Sequence, residues 1–215
     1  MGSDDLVLDI GAGDGRLTSA LAKSARHVVA IELDPHLAAC LRERWANVEV
    51  IEGDAVSTAL PAVPFRVVSN LPFESTTAIL RHLLDDPFVP LVRADVVVEW
   101  GVALKRSLPW PSSVNDVLWG AWYTARLARR LPRDTFRPPP AVDAGVLVFE
   151  RRPRPLVPTR CWHEYRAFVA AGFRRGVRSV ASPRAVRRLG VARAAPRDLD
   201  PHQWAALWPG AIDGP

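Results

Sequence analysis

Residues 6–15 read LVLDIGAGDG, a short apolar run followed by glycines at 11, 13 and 15. Five residues rich in Leu, Val and Ile suit a buried strand better than a helix. Glycines in alternation let the backbone turn tightly and come close to a ligand. The next ten residues, RLTSALAKSA (16–25), have helical spacing, so the stretch predicts strand, glycine turn and helix. The alternation continues. HVVAIEL (27–33) reads as a second buried strand, and Asp34-Pro35 fits an N-cap with proline at the first helical position, opening a helix through about Arg44. VEVIEGD (48–54) is a third strand, and FRVVSNL (65–71) a fourth, followed by a helix from Thr76 to Leu84. ADVVVEW begins a fifth unit at Ala94. Val- and Ile-rich strands alternating with helices predict βαβ units and a parallel sheet. Right-handed crossovers place the loops after each strand along one edge, where ligands sit at the carboxyl ends of the strands.

The later chain is less regular. WYTARLARRLP (122–132) is compatible with strand or helix. RPPPAV (137–142) must be extended, because its prolines fix φ and remove donors. GVLVFERR (145–152) is a strand by composition. The Pro-rich linker RPRPLVPT (152–159) precedes an amphipathic helix in CWHEYRAFVAAGFRRG (161–176), which places a domain boundary near 153. GVRSVASPRAVRRLGVARAAP (176–196) should pack as short helices. No internal repeat is present.

Composition narrows the function classes. The 215 residues, 48% of them hydrophobic, suffice for one domain with a small appendage and a sizeable core. No stretch approaches eighteen consecutive apolar residues, so no membrane span is expected, and the N-terminus does not read as a secretory signal. Cys40 and Cys161 are far apart, and neither they nor the five histidines show metal-ligand spacing. Reduced, structural thiols in a cytoplasmic protein are expected. The net charge of +5 is uneven: residues 1–150 carry −4, whereas residues 151–215 carry 13 Arg and 4 acids, a net of +9. An Arg-only excess in the last third points to a polyanion, most simply nucleic acid. With only two lysines in the chain, a general preference for Arg over Lys is the competing reading.

Three strand ends carry the cofactor signal. The glycine turn follows the first strand, Glu32 ends the second, 21 residues after Gly11, and Asp54 ends the third. A carboxylate at Glu32 can accept both hydroxyls of a ribose, and one at Asp54 can accept from an adenine amino group. The spacing is G-x-G-x-G rather than the G-x-G-x-x-G of dinucleotide binders and needs no pyrophosphate cradle. This favours S-adenosylmethionine over NAD.

The fourth strand ends in SNLPFE (69–74), an amide, a proline and an aromatic ring facing the same edge. NLPF resembles the Asn-(Ile/Leu)-Pro-(Tyr/Phe) signature of the rRNA adenine N6-methyltransferases, the Erm and KsgA group. FRPPPAVD (136–143) resembles the family's Phe-x-Pro-x-Pro-x-Val-Asp segment. EWGVALKR (99–106), EYRAFVAAGF (164–173) and RDLDPHQWAALW (197–208) are similar to the Erm branch, especially its actinobacterial members. The resemblance runs from Leu6 through nearly the whole chain. It implies an α/β, Rossmann-like S-adenosylmethionine-dependent methyltransferase sheet over 1–152 and a small Arg-rich helical RNA-binding domain over 153–215.

The implied roles follow. Gly11, Ala12, Gly13, Glu32, Leu33, Asp54, Ala55 and Asn70 would hold S-adenosylmethionine. The Asn70 side-chain oxygen and the Leu71 carbonyl would accept the two hydrogens of an adenine N6 amine, steering its lone pair to the methyl group. Pro72 would fix that loop, and Phe73 would stack on the base, with Phe136 on the other face. Catalysis would be positioning and polar stabilisation, with no dedicated base. The implied substrate is one adenine of 23S rRNA in the peptidyl-transferase region, whose methylation blocks macrolide, lincosamide and streptogramin B binding. A cytoplasmic monomer without metal is expected. Arg174, Arg175 and Arg178 suit either phosphate contacts or the dipole at a helix C-terminus. Trp100, Trp110, Trp119 and Trp122 either stack on RNA or, the favoured reading, pack in cores and interfaces. A KsgA-like 16S rRNA enzyme, a catalytically impaired RNA-binding homologue, and an enzyme acting on an amine in DNA or protein remain alternatives.

Family members begin with a segment carrying a Gln-Asn/His-Phe-Leu motif that covers the cofactor site. This chain starts five residues before the first strand without it. The expectation is a pocket open on one side and weak binding of S-adenosylmethionine, measured by titration; ordinary micromolar affinity would contradict it.

Overall fold

In the computed structural model, Gly2 and residues 4–210 are described. The first half follows the alternation read above: β1 (Leu6–Ile10), α1 (Arg16–Ala22), β2 (His27–Glu32), α2 (Pro35–Leu41), β3 (Val48–Glu52), β4 (Phe65–Asn70), α3 (Thr76–Leu84) and β5 (Leu91–Glu99). The Asp34 carboxylate caps α2, accepting from the N–H groups of His36 at 2.8 Å and Leu37 at 3.2 Å. This helix stops at Leu41 rather than near Arg44, because Arg42 turns to ψ 141° and Glu43 then takes φ +67°, both outside helical space. β5 starts at Leu91, three residues before the expected Ala94. Arg93 and Asp95, two apart and so on one face, pair at 2.6 Å and disguise the apolar alternation.

After β5 come α4 (Trp100–Ser107), α5 (Val114–Trp122), β6 (Tyr123–Leu131) and β7 (Ala144–Arg151). The ambiguous 122–132 segment is therefore a strand, entered directly from a helix. α6 (Trp162–Arg175), α7 (Pro183–Arg188) and α8 (Pro201–Leu207) are the last helices of the described residues. The strands form one seven-stranded sheet in the order β3-β2-β1-β4-β5-β7-β6. β1 to β5 are parallel where they pair, and β7 runs antiparallel to β5. Val7, Leu21, Ala25 and Val28 pack α1 onto the sheet, while Ala12, Ala30 and Leu41 pack α2. No described helix is long and apolar enough to cross a membrane.

The chain divides into two compact units, residues 1–104 with 126–150, and residues 105–125 with 151–215. The expected boundary near 153 is thus one of several crossings, because α5 belongs with the C-terminal helices. The Pro-rich segment is tied to α5 rather than loose: Arg152 N–H donates to the Trp122 carbonyl and Leu156 N–H to that of Ala121, both at 2.8 Å. Within this second unit Trp122, Tyr165 and Trp204 are almost wholly buried. The Phe173 and Trp204 rings stack 5.6 Å apart. Gly172 makes room for them, since a Cβ there would lie 2.5 Å from the Trp204 ring.

Candidate active site

The parallel strands end at one edge. The registers Ile10↔Ile31, Glu32↔Glu52 and Asn70↔Val97 align the ends of β1, β2, β3, β4 and β5 there. The strand order reverses between β1 and β4, the place where an open α/β sheet forms a crevice. The β1–β4 ladder is recorded at Val7↔Arg66 and Leu8↔Val67. Beyond it the Ser69 hydroxyl holds the strands, accepting from Ile10 N–H at 3.1 Å and donating to the Ile10 carbonyl at 2.5 Å.

The glycine turn is shaped by its backbone bonds. Gly11 and Ala12 N–H both donate to the Ile31 carbonyl, at 2.8 and 3.2 Å. Gly13 N–H donates to Glu32 Oε2 at 2.7 Å, and Asp34 N–H to Glu32 Oε1 at 3.0 Å. Gly11 has φ +71°, and a Cβ there would stand 3.3 Å from the Pro72 ring. Gly15 has φ +81°, and its Cβ would lie 2.5 Å from Leu41. Both positions demand glycine. The first loop thereby lies against the NLPF segment.

That segment is anchored on both sides. The Leu71 side chain is buried and its N–H donates to the Val97 carbonyl at 3.0 Å. The Pro72 carbonyl accepts from Ser75 N–H at 3.1 Å and Thr76 Oγ1 at 3.0 Å. Asn70 is exposed, and neither its side-chain amide nor the Leu71 carbonyl has a hydrogen-bond partner among the described residues. Phe73 is half-buried beside them. At the β2 end, Leu33 holds its apolar side chain 68% exposed. Asp54 is exposed and turns its loop by accepting from Val56 N–H at 3.0 Å, while Ala55 is half-buried.

Phe136 reaches this edge from another direction. Its loop, 132–143, joins β6 to β7, and the register Glu99↔Ala144 sets the start of β7 beside the carboxyl end of β5. Asp143 closes the loop. It accepts from Arg130 at 2.6 Å and from Arg133 N–H at 3.0 Å, while its own carbonyl accepts from Trp100 N–H at 2.9 Å. Those donors hold the Asp143 carboxyl below the usual carboxylate range, Arg130 foremost. Phe136 is half-buried, and its ring is not in contact with that of Phe73. Arg174 and Arg175 end α6 and Arg178 follows in a short 3-10 turn. All three are exposed in the second unit, with no ion pair among the described residues.

Sequence reasoning missed the buried polar groups beneath this edge. Asp9 is 1% exposed and accepts from Thr18 Oγ1 at 2.7 Å. Burial, against the Thr18 hydrogen bond and with the Glu32 carboxylate adding repulsion, pushes the Asp9 carboxyl up to about 6. The available signal was a charged residue inside an otherwise apolar strand. Ser69, placed next to NLPF, was legible only as the residue before the motif.

A folded-state pKa raised from 3.8 to about 6 adds stability that is full below the lower value and lost as pH rises through the upper. Asp9→Asn removes that loss. Relative to the wild type, the variant is expected to gain up to about 3 kcal/mol between pH 4 and pH 7, at about 1.4 kcal/mol per pKa unit. Urea unfolding of both proteins across this range measures it, and a constant difference would contradict the assignment.

A family model described as ribosomal RNA adenine dimethylase matches residues 2–185. The chain is 37% identical to the mycinamicin-resistance protein MyrB of Micromonospora griseorubida, over 94% of this chain and 68% of that protein. It is 39% identical to an rRNA methyltransferase of Streptomyces thermotolerans, over 79% of this chain and 57% of that one. It therefore spans roughly six to seven tenths of the length of these curated relatives. The crystal structure of the 23S rRNA methyltransferase ErmE superposes with a TM-score of 0.81 at 28% identity, covering 96% of this chain and 91% of that one. With the family's glycine turn and NLPF segment meeting at one sheet edge, the chain belongs to the ribosomal RNA adenine dimethylase family, on its Erm-like, actinobacterial side.

Proposed function

We propose that the chain methylates N6 of a specific adenine in 23S rRNA, using S-adenosylmethionine, and so confers macrolide, lincosamide and streptogramin B resistance. One observation carries the reading: two unpartnered acceptors, the Asn70 amide oxygen and the Leu71 carbonyl, stand at the switch-point crevice beside the Gly11 turn. The names of the relatives, a mycinamicin-resistance protein and rRNA methyltransferases, support the substrate class. A ribosomal substrate places the protein in the cytoplasm.

The residues at the edge fit the cofactor. Glu32 is held by two backbone donors, and each of its oxygens keeps a lone pair for a ribose hydroxyl. The exposed Leu33 offers an apolar face to a purine, and the free oxygen of Asp54 can accept from its amino group. The glycine turn leaves no Cβ where the methionine part would pass. S-adenosylmethionine, when bound, supplies an electrophilic methyl group on a sulfonium.

The other steps belong to side chains and backbone of this protein. Adenine N6 is a weak nucleophile because its lone pair is delocalised into the ring. Asn70 and Leu71 accept its two hydrogens and hold the amine so that the lone pair points away from them. Phe73 covers one face of the extruded base and Phe136, carried by the Asp143-clamped loop, covers the other. Pre-set acceptors need no reorganisation during the reaction. Arg174, Arg175 and Arg178 contact phosphates of the RNA.

Transfer of labelled methyl to unmodified 23S rRNA tests this, with 16S rRNA and duplex DNA as competitors. The expected result is label in one adenine of 23S rRNA, with the rate falling on the order of 10²- to 10³-fold in Asn70→Ala. Label in 16S rRNA instead would make the enzyme KsgA-like, and RNA binding without label would make it a non-catalytic homologue.

A further inference from the structure

The four tryptophans between Trp100 and Trp122 fall in different surroundings. Trp119 and Trp122 are each 3% exposed. Trp100 is half-buried, with the Arg130 guanidinium 5.0 Å from its ring centre. Trp110 alone of the four stands in solvent, 58% exposed, at the tip of the turn between α4 and α5.

That turn is built to hold its tip still. Its sequence is Leu108-Pro109-Trp110-Pro111. The two prolines fix their own φ and restrict Leu108 and Trp110 to extended backbone. Pro111 is buried, so the turn is seated on its own unit. Both feet are clamped to one carboxylate. Asp116 pairs with Arg106 on the incoming side. On the outgoing side it accepts from Ser112 N–H at 3.0 Å, Ser112 Oγ at 2.9 Å and Ser113 Oγ at 2.8 Å. The Arg106 and Asp116 side chains are only 12% and 10% exposed. Removing either partner would leave a buried charge, so the clamp is durable. The Arg106 guanidinium also lies 5.0 Å from the Trp119 ring centre.

A rigid turn that holds a large apolar ring in water is pre-organised to receive a partner. The tip offers two exposed apolar side chains, Trp110 and Leu108. This is far short of the roughly 800 Å² per side of a stable protein interface. The unit carrying it holds 15 Lys and Arg against 5 Asp and Glu, a net of +10, and Lys105 is exposed beside the turn. A partner that is flat, apolar on its faces and attached to anions matches both features, and that is an unpaired nucleobase on its phosphate backbone. We propose that Trp110 is a stacking platform for an unpaired base of the RNA substrate, separate from the reacting adenine. The proposal rests on the rRNA reading above.

The test compares wild type, Trp110→Ala and Trp110→Phe for filter binding to an unmodified 23S rRNA transcript at fixed salt, and for KM and kcat in methyl transfer. Trp110→Ala is expected to weaken binding about 5- to 150-fold, the ratio equivalent to 1–3 kcal/mol of stacking on one base. Its KM for RNA should rise in parallel with little change in Tm. Trp110→Phe, which keeps an aromatic face, should recover most of the loss. Wild-type methylation with Trp110→Ala binding equally well would overturn the platform and leave the function standing. Equal losses in Ala and Phe variants, or a self-association that Trp110→Ala abolishes, would also overturn it. A wild type that neither binds nor labels rRNA removes both readings.

Discussion

Glu32 is the constraint on which the rest of the site depends. Its carboxylate ends β2 and draws in two backbone N–H groups, Gly13 from the turn after β1 and Asp34 from the start of α2. Charge-assisted bonds of this kind are stronger than neutral ones, and a nearly buried carboxylate must have such partners. Fixing the Gly13 N–H fixes the glycine turn. Fixing Asp34 orients the cap of α2. The same carboxylate keeps acceptor capacity toward the edge. One side chain thus links the shape of the loop to the chemistry the loop can perform.

The neighbouring buried groups reinforce that arrangement at some cost to stability. Ser69 joins β1 to β4 where their recorded ladder has ended, so the crevice is open without being loose. Asp9 is buried near Glu32, and its carboxyl is raised by that burial. Strain of this sort tends to gather where ligands bind. The loop bearing Phe136 is managed differently. Its foot is the exposed Asp143–Arg130 pair, and Arg130 in turn lies over Trp100. A pair at the surface is worth little energy alone, but here it acts with two backbone bonds to set where a three-proline loop begins and ends.

Most of the sheet was legible because its strands are short, apolar and punctuated by Gly, Pro and Asp. β1 and α3 matched the sequence reading at both ends. The rest was hidden for physical reasons. α4 and α5 lie in a stretch rich in Trp, Gly and Pro, where composition argues against helices that tertiary packing nonetheless stabilises. The strand nature of Tyr123–Leu131 is masked by three arginines along it. The affiliation of α5 with the C-terminal helices is a non-local fact that no window of sequence contains. At the site, Gly11, Glu32, Asp54 and NLPF stand out in the sequence because each lies at or just past a strand end. Asp143 belongs to a visible sequence motif, but the clamp it forms is not legible there, since its partner Arg130 is thirteen residues away. Among the tryptophans, exposure rather than sequence separates Trp110 from the three that pack.

The most direct measurement is calorimetric titration of S-adenosylhomocysteine into the wild type, Glu32→Gln and Glu32→Ala. If Glu32 both shapes the turn and meets the ribose, the wild type binds one equivalent. The Gln variant, which keeps one carbonyl acceptor, binds more weakly, and the Ala variant loses binding by well over about tenfold. Equal affinity in all three would contradict the account at its centre.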